Sequence, residues 1–138
     1  MTDVFVDTWA WYALADPNDS DHAKARKALD TLLAEGDVLV TTNFVMAEAV
    51  TLIRYHLYHA AAVRFQETLQ ELIDIGVLHL VRVTDTHEAA AWALFCRFDD
   101  QKLSYTDCLS FAVMRDLKIE RVISGDHHFA VLGFILVP

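Results

Sequence analysis

Two apolar periods alternate along the chain. Short, mainly apolar runs at Val4 to Val6, Val38 to Thr41, Val77 to Val83, Arg121 to Ser124 and Phe134 to Val137 predict five strands. Between them lie stretches with helical spacing. These run over Thr8 to Ala15, stopped by Asp16-Pro17; Ser20 to Ala34, closed by Gly36; Phe44 to Tyr55; Ala60 to Ile75, ended by Gly76; Thr84 to about Phe98; and Ser104 to Arg115. In the helix from Ser20, the spacing assigns Ala23, Ala28, Leu29, Leu32 and Leu33 to the inner face. The alternation of strand and helix predicts an α/β sandwich with a mostly parallel sheet. Such sheets bind ligands beyond the carboxyl ends of their strands.

No repeat, low-complexity tract or linker interrupts this pattern, and the only prolines are Pro17 and Pro138, so residues 1–138 are expected to form a single domain. With 54% hydrophobic and 22% charged residues the chain has enough apolar material for a core. No apolar run reaches the roughly 18 to 20 residues of a membrane span, and Met1-Thr2-Asp3 is not a basic leader. A soluble, cytoplasmic protein with no membrane partner is expected. Cys96 and Cys108 fit no zinc spacing and, in helix-like apolar segments, read as reduced, buried thiols.

Four carboxylates interrupt the apolar segments. Asp7 ends Val4-Phe5-Val6, Glu48 lies within Phe44-Val45-Met46-Ala47 and Ala49-Val50, Asp107 precedes Cys108-Leu109-Ser110-Phe111, and Asp126 follows Val122-Ile123-Ser124-Gly125. A lone buried carboxylate costs several kcal/mol or takes up a proton, on the order set by desolvation. Local explanations exist for three of them. Asp7 and Asp126 can cap the turns that follow them, and Ser104-Tyr105-Thr106-Asp107 fits a capping box. Glu48 has no such account, because its helix neighbours Phe44, Val45, Thr51 and Leu52 include no base. One acid that needs a distant cation, and three at element ends that can converge on it, point to a shared divalent ion. Hard oxygen donors select Mg²⁺ or Mn²⁺ over zinc.

Other groups change this picture little. His127-His128 are expected to point apart rather than ligate a metal. Trp9, Trp11 and Tyr12 read as core or as a dimer surface rather than as a base-stacking platform, and Lys24-Ala25-Arg26-Lys27 as a solvated helix face. The net charge of −9 argues at first against a polyanionic substrate, but ions in an acidic site reverse its local sign. Basic residues at Lys24 to Lys27, Arg54, Arg64, Arg97 and Lys102 leave room for a positive rim.

These residues together resemble the PIN-domain ribonucleases, in particular VapC-type toxins of toxin-antitoxin pairs. The resemblance rests on Val4-Phe5-Val6-Asp7-Thr8, on Thr41-Thr42-Asn43 followed by Glu48, on Leu103-Ser104-Tyr105-Thr106-Asp107-Cys108, and on Ser124-Gly125-Asp126-His127-His128-Phe129. It implies a three-layer α/β/α sandwich and Mg²⁺- or Mn²⁺-dependent hydrolysis of RNA phosphodiesters. It further implies that Asp7, Glu48, Asp107 and Asp126 are the metal-binding and catalytic acids. Asp7 and Asp107 would form the central pair, Glu48 and Asp126 would complete the shell, and Thr8 would orient water. One departure is Ser124-Gly125, where the family commonly has threonine and a bulkier residue. A small antitoxin, whose basic side chain could enter the acidic pocket, and a homodimer are also implied.

A receiver-type phosphoacceptor needs an adjacent acidic pair after the first strand, and a haloacid-dehalogenase-like phosphatase needs D-x-D where this chain has Asp7-Thr8-Trp9. The remaining alternative is a catalytically silent RNA-binding or protein-interaction module on the same fold.

Overall fold

Val4, Phe5 and Val6 have no exposed surface at all. A strand that is apolar on both pleated faces must be covered on both, which places it in the middle of a parallel sheet. In the computed structural model, which describes residues 2–137, this strand is β1 (Asp3–Val6). It lies between β2 (Val38–Thr42) and β4 (Arg121–Ile123), with β3 (Leu78–Val81) and β5 (Ile135–Val137) at the edges, in the order β3-β2-β1-β4-β5. Every described pairing is parallel, so the sheet is more uniform than the expected mostly parallel one. The reason is that each strand connection carries a helix and none is a hairpin.

The helices are α1 (Thr8–Ala15), α2 (His22–Ala34), α3 (Asn43–His56), α4 (His59–Asp74), α5 (Asp85–Arg97), α6 (Tyr105–Asp116) and α7 (His128–Val131). Right-handed crossovers put α1 to α4 over one face, as the chain steps from β1 outward to β3. The return to β4 and β5 carries α5 to α7 over the other face, giving the three layers. There α6 supplies the fully buried Phe111, whose ring meets Phe129 edge-on at 4.8 Å and stacks on Phe134 at 5.9 Å.

The inner face of α2 differs from the expected one. Ala25, Ala28 and Leu32 are buried, whereas Ala23 is exposed and Leu33 is 37% exposed. The helix starts at His22 rather than Ser20, and its packed stripe is narrower and centred on small residues. Leu33 instead borders a groove between α2 and α4.

Helix ends aim the chain into the strands. Gly36 and Gly76 adopt left-handed φ values of 77° and 79°. At the first, Gly36 N–H bonds Leu33 O and Asp37 N–H bonds Leu32 O, satisfying carbonyls the helix leaves free. The same pair of bonds closes α6, with Lys118 N–H on Arg115 O and Ile119 N–H on Met114 O, but here the left-handed residue is Lys118 at φ 57°. A side chain at such a φ costs about 1 kcal/mol. Lys118→Gly is therefore expected to raise unfolding stability by up to about 1 kcal/mol, and Gly76→Ala to lower it by about the same. Urea denaturation at constant slope checks both; a destabilising Lys118→Gly would contradict the strain.

Candidate active site

β1 and β4 are adjacent, and Val6 pairs with Ile123. The next residues, Asp7 and Ser124, therefore emerge side by side at the carboxyl edge of the sheet, with Asp7 N–H bonded to Ile123 O at 3.2 Å. From β1 the chain winds one way to β3 and later the other way to β5. This is the switch point of the sheet, where flanking connections diverge and leave a crevice.

Asp7 is the one candidate acid that is fully buried, at 5% exposure. Its carboxylate makes no cap bond to α1, so the capping explanation for it fails. Instead Oδ2 accepts a hydrogen bond from Ser124 Oγ at 2.8 Å. Ser124 Oγ in turn accepts from Asp126 N–H at 3.0 Å, so one buried hydroxyl ties two of the acids together. Sequence reasoning missed Ser124. Its only signal was its position one residue past a central strand, level with Asp7.

Asp107 closes the cap of its helix, whereas Asp126 precedes the N-cap of α7, His127, and closes only a turn onto it. Asp107 Oδ2 accepts from Ser104 N–H at 3.0 Å while Ser104 Oγ accepts from Asp107 N–H, closing the expected capping box and leaving Oδ1 outside it. Asp126 Oδ1 accepts from His128 N–H at 2.9 Å at the start of α7. Glu48 lies on the second turn of α3, whose first turn is capped by Thr42 Oγ1 accepting from Val45 N–H. Apolar neighbours in sequence suggested four buried acids, yet Glu48, Asp107 and Asp126 are half-buried. They are the more open acids, and Asp7 is the enclosed one.

The electrostatics link the acids through Asp107, which feels Asp126 and Glu48 and is felt in turn by Asp7. Burial, chiefly, pushes the Asp7 carboxyl up to about 7; the Ser124 hydrogen bond opposes the rise, and the charges of Asp107 and Asp126 add to it. Burial also raises Asp107, with Asp126 and Glu48 contributing repulsion. Among the described residues no lysine or arginine pairs with any of the four. Thr8 Oγ1, next to Asp7, is buried without a hydrogen-bond partner.

The histidines depart from expectation. His127 and His128 do not point apart: their rings lie 4.2 Å centre to centre, because both follow Asp126 around the first turn of α7. His128 Nδ1 sits 2.7 Å from Asp126 Oδ1. Donor atoms of Asp126, His127 and His128 fall within 4.8 Å of one another, whereas the four carboxylates are coupled by charge without closing to that distance. The Trp9, Trp11 and Tyr12 group also divides. Trp11 is core, donating Nε1–H to Thr41 Oγ1 at 3.2 Å; Tyr12 bonds Asp16; and Trp9 is half-buried beside Gly125.

A PIN domain family match runs over residues 4–135. The chain belongs to the PIN-domain family. This PIN domain is 32% identical over 134 residues to the 23S rRNA-specific endonuclease VapC20 of Mycobacterium tuberculosis, covering 97% of both chains. It is 31% identical over 94 residues to a VapC ribonuclease of Archaeoglobus fulgidus, covering 67% of this chain and 56% of that one. Its fold superposes on the crystal structure of VapC20, described as a sarcin-ricin loop cleaving toxin, with a TM-score of 0.82 over 96% of each chain at 33% identity. It also matches VapBC2 of Rickettsia felis, crystallised with a promoter DNA fragment, at a TM-score of 0.71 over 99% of this chain and 97% of that one, where 12% identity marks a shared fold.

The donor set of this PIN domain fits a divalent ion. Its carboxylates are coupled by charge with no compensating base among the described residues, and Thr8 Oγ1 is an unpartnered polar atom at the buried end. The same charge crowding has a cost without metal. Since the folded pKa of Asp7, about 7, lies above the ordinary 3.8, the folded state holds its proton more tightly. Stability of the metal-free protein from this group therefore rises as pH falls from about 7 toward 4, and is lost above 7. Asp7→Asn is expected to stabilise the metal-free protein at pH 8, on the order of a few kcal/mol, and less at pH 5. Thermal melts in EDTA at both pH values check this; equal effects at the two would contradict it.

Proposed function

We propose that this chain is a Mg²⁺- or Mn²⁺-dependent endoribonuclease, the toxin of a VapBC-type toxin-antitoxin pair. The observation that carries the reading is the uncompensated acid cluster at the β1/β4 switch point, with Asp7 buried beneath the charges of Asp107 and Asp126. The relatedness to VapC ribonucleases agrees with it. Asp7 and Asp107 would hold the ion, Asp107 through the oxygen left outside its cap. Glu48 and Asp126, both half-buried, would complete the shell or orient the attacking water, with the Thr8 hydroxyl as a further positioning group. When bound, the ion supplies Lewis acidity, activating water and neutralising charge on the phosphodiester. Ser124 holds Asp7 in one rotamer and fixes the Asp126 backbone, which keeps the two acids in register.

No side chain near the acids competes as a nucleophile. Cys108 follows Asp107 directly but is buried, with its thiol pushed up to about 11 by burial and then by the Asp107 charge. It stays protonated and inert at neutral pH.

For partners, the reading entails RNA as substrate, a small antitoxin, a homodimer and a cytoplasmic site of action. A groove of about 450 Å³ between α1, α2 and α4 supports an antitoxin contact, since Leu29, Leu33, Phe65 and Leu72 line it and Arg26 and Arg64 stand at its edge. Trp92, 57% exposed and stacked on Phe95 at 5.5 Å, supports a self-association surface on α5.

Purified protein should cleave RNA in Mg²⁺ or Mn²⁺ and not in EDTA. Asp107→Asn should abolish cleavage, and Ser124→Ala should lower metal affinity or activity about 10- to 100-fold, as loss of a supporting hydrogen bond does elsewhere. Gel assays on a sarcin-ricin-loop hairpin and on single-stranded RNA decide it. Metal-independent cleavage, or full activity of Asp107→Asn, would defeat the assignment.

A further inference from the structure

Resting on the ribonuclease reading, we propose that Trp9 is a substrate-binding residue whose indole stacks on an unpaired RNA base beside the scissile phosphate, and that Gly125 exists to admit it. Trp9 lies two residues past Asp7, in the first turn of α1. Gly125 joins Ser124, which hydrogen-bonds Asp7, to Asp126. The indole therefore rests on the short piece of backbone that links the partner of the enclosed acid to one of the more open ones.

That contact leaves no room for a side chain. A Cβ on Gly125 would lie 2.5 Å from Trp9 Nε1 and 2.7 Å from Cζ2, and closer still to Cε2. The blocking atoms belong to a rigid bicyclic ring, so the ring would have to leave its place. Gly125 has no left-handed φ to explain it, and the glycine is accounted for by the approach of the indole alone.

The indole packs against the core but is not enclosed by it. Trp11, two residues on, is 3% exposed and donates its N–H to Thr41. Trp9 is half-buried, and among the described residues its N–H has no protein acceptor and is not one of the buried unpartnered atoms, so solvent reaches it. A tryptophan with one surface on glycine, an open edge and an unused donor, beside a phosphodiester site, has the chemistry that holds a splayed base. Stacking tolerates any base, so it would fix where the strand lies and demand an unpaired nucleotide there, rather than reading sequence.

The test uses the full chain and four proteins: wild type, Trp9→Leu, Trp9→Phe and Gly125→Val, the last displacing the indole without removing it. Each is assayed in Mg²⁺ on a sarcin-ricin-loop hairpin and on mixed-sequence single-stranded RNA, and photocross-linked to the same RNAs carrying 5-iodouridine. Trp9→Leu and Gly125→Val should raise KM about tenfold or more while leaving kcat nearly unchanged, and Trp9→Phe should recover most of the loss. The cross-link should map to Trp9 in the wild type and vanish in Gly125→Val. An unchanged KM in Trp9→Leu overturns the proposal, as does a cross-link confined to Trp92 and Phe95. A fall in kcat with KM constant also overturns it, because that is what loosening Asp126 would do. Wild type that neither cleaves nor cross-links any RNA defeats the ribonuclease reading itself, and this inference with it.

Discussion

The crowding of negative charge around Asp7 constrains everything near it. An enclosed carboxylate, with Asp107 and Asp126 close enough to raise its pKa, is an arrangement that a chain left to maximise stability would not keep. Hydrogen bonds from Ser124 and from the Thr8 backbone are what compensate it, and they do not offset the burial. The fold tolerates this because the strand that delivers Asp7 is the best-buried element in the protein: Val4, Phe5 and Val6 are covered on both faces, and Leu39, Val122 and Ile123 flank them without exposed surface. Rigidity of β1 prevents the acid from relaxing into solvent. The site is thus built where the core is strongest, and the apolar sheet offsets a destabilising charge placed at its edge.

The other acids show a second solution to the same problem. Asp107 uses one oxygen to close a helix cap, where the helix dipole favours negative charge, and Asp126 uses one to close a turn onto the His128 N–H. Structural and chemical roles are therefore not alternatives at these positions. A capping box accounts for how Asp107 is oriented and leaves open what its other oxygen meets. Glu48 has neither a cap nor a base beside it, and from α3 its charge adds to the repulsion felt by Asp107.

How much of this could be read from sequence follows from the range of each interaction. Strand and helix positions were legible because they depend on local period and on punctuation by Gly36 and Gly76. Glu48 stood out because the absence of a basic neighbour on one helix is visible in a single line of letters. Ser124 was not legible as a site residue, since its partner Asp7 is 117 positions away and only the β1/β4 register brings the two together. The fate of Trp9, Trp11 and Tyr12 was equally hidden: three adjacent aromatics look alike until the sheet decides which one meets Thr41 and which one meets Gly125. The His127-His128 pair was misjudged for a related reason. Residues next to each other in an extended turn diverge, but here His127 already has helical backbone angles and the turn closed by Asp126 brings the rings together.

An acidic protein acting on a polyanion also becomes intelligible from these positions. The net charge of −9 says little about the crevice, because the acids that would repel a phosphate are the ones that would hold the ion. Arg26 and Arg64 do not relieve the problem, since they meet at the groove between α2 and α4 rather than with the four acids. Without a cation, the site is a region of like charge facing like charge. On the proposed reading, RNA binding and metal binding would be one linked event, since an ion that completed the acid cluster would also let the substrate approach it. Apolar surface such as Trp9 matters most in that setting, because stacking is a contact the strand can gain without confronting the carboxylates.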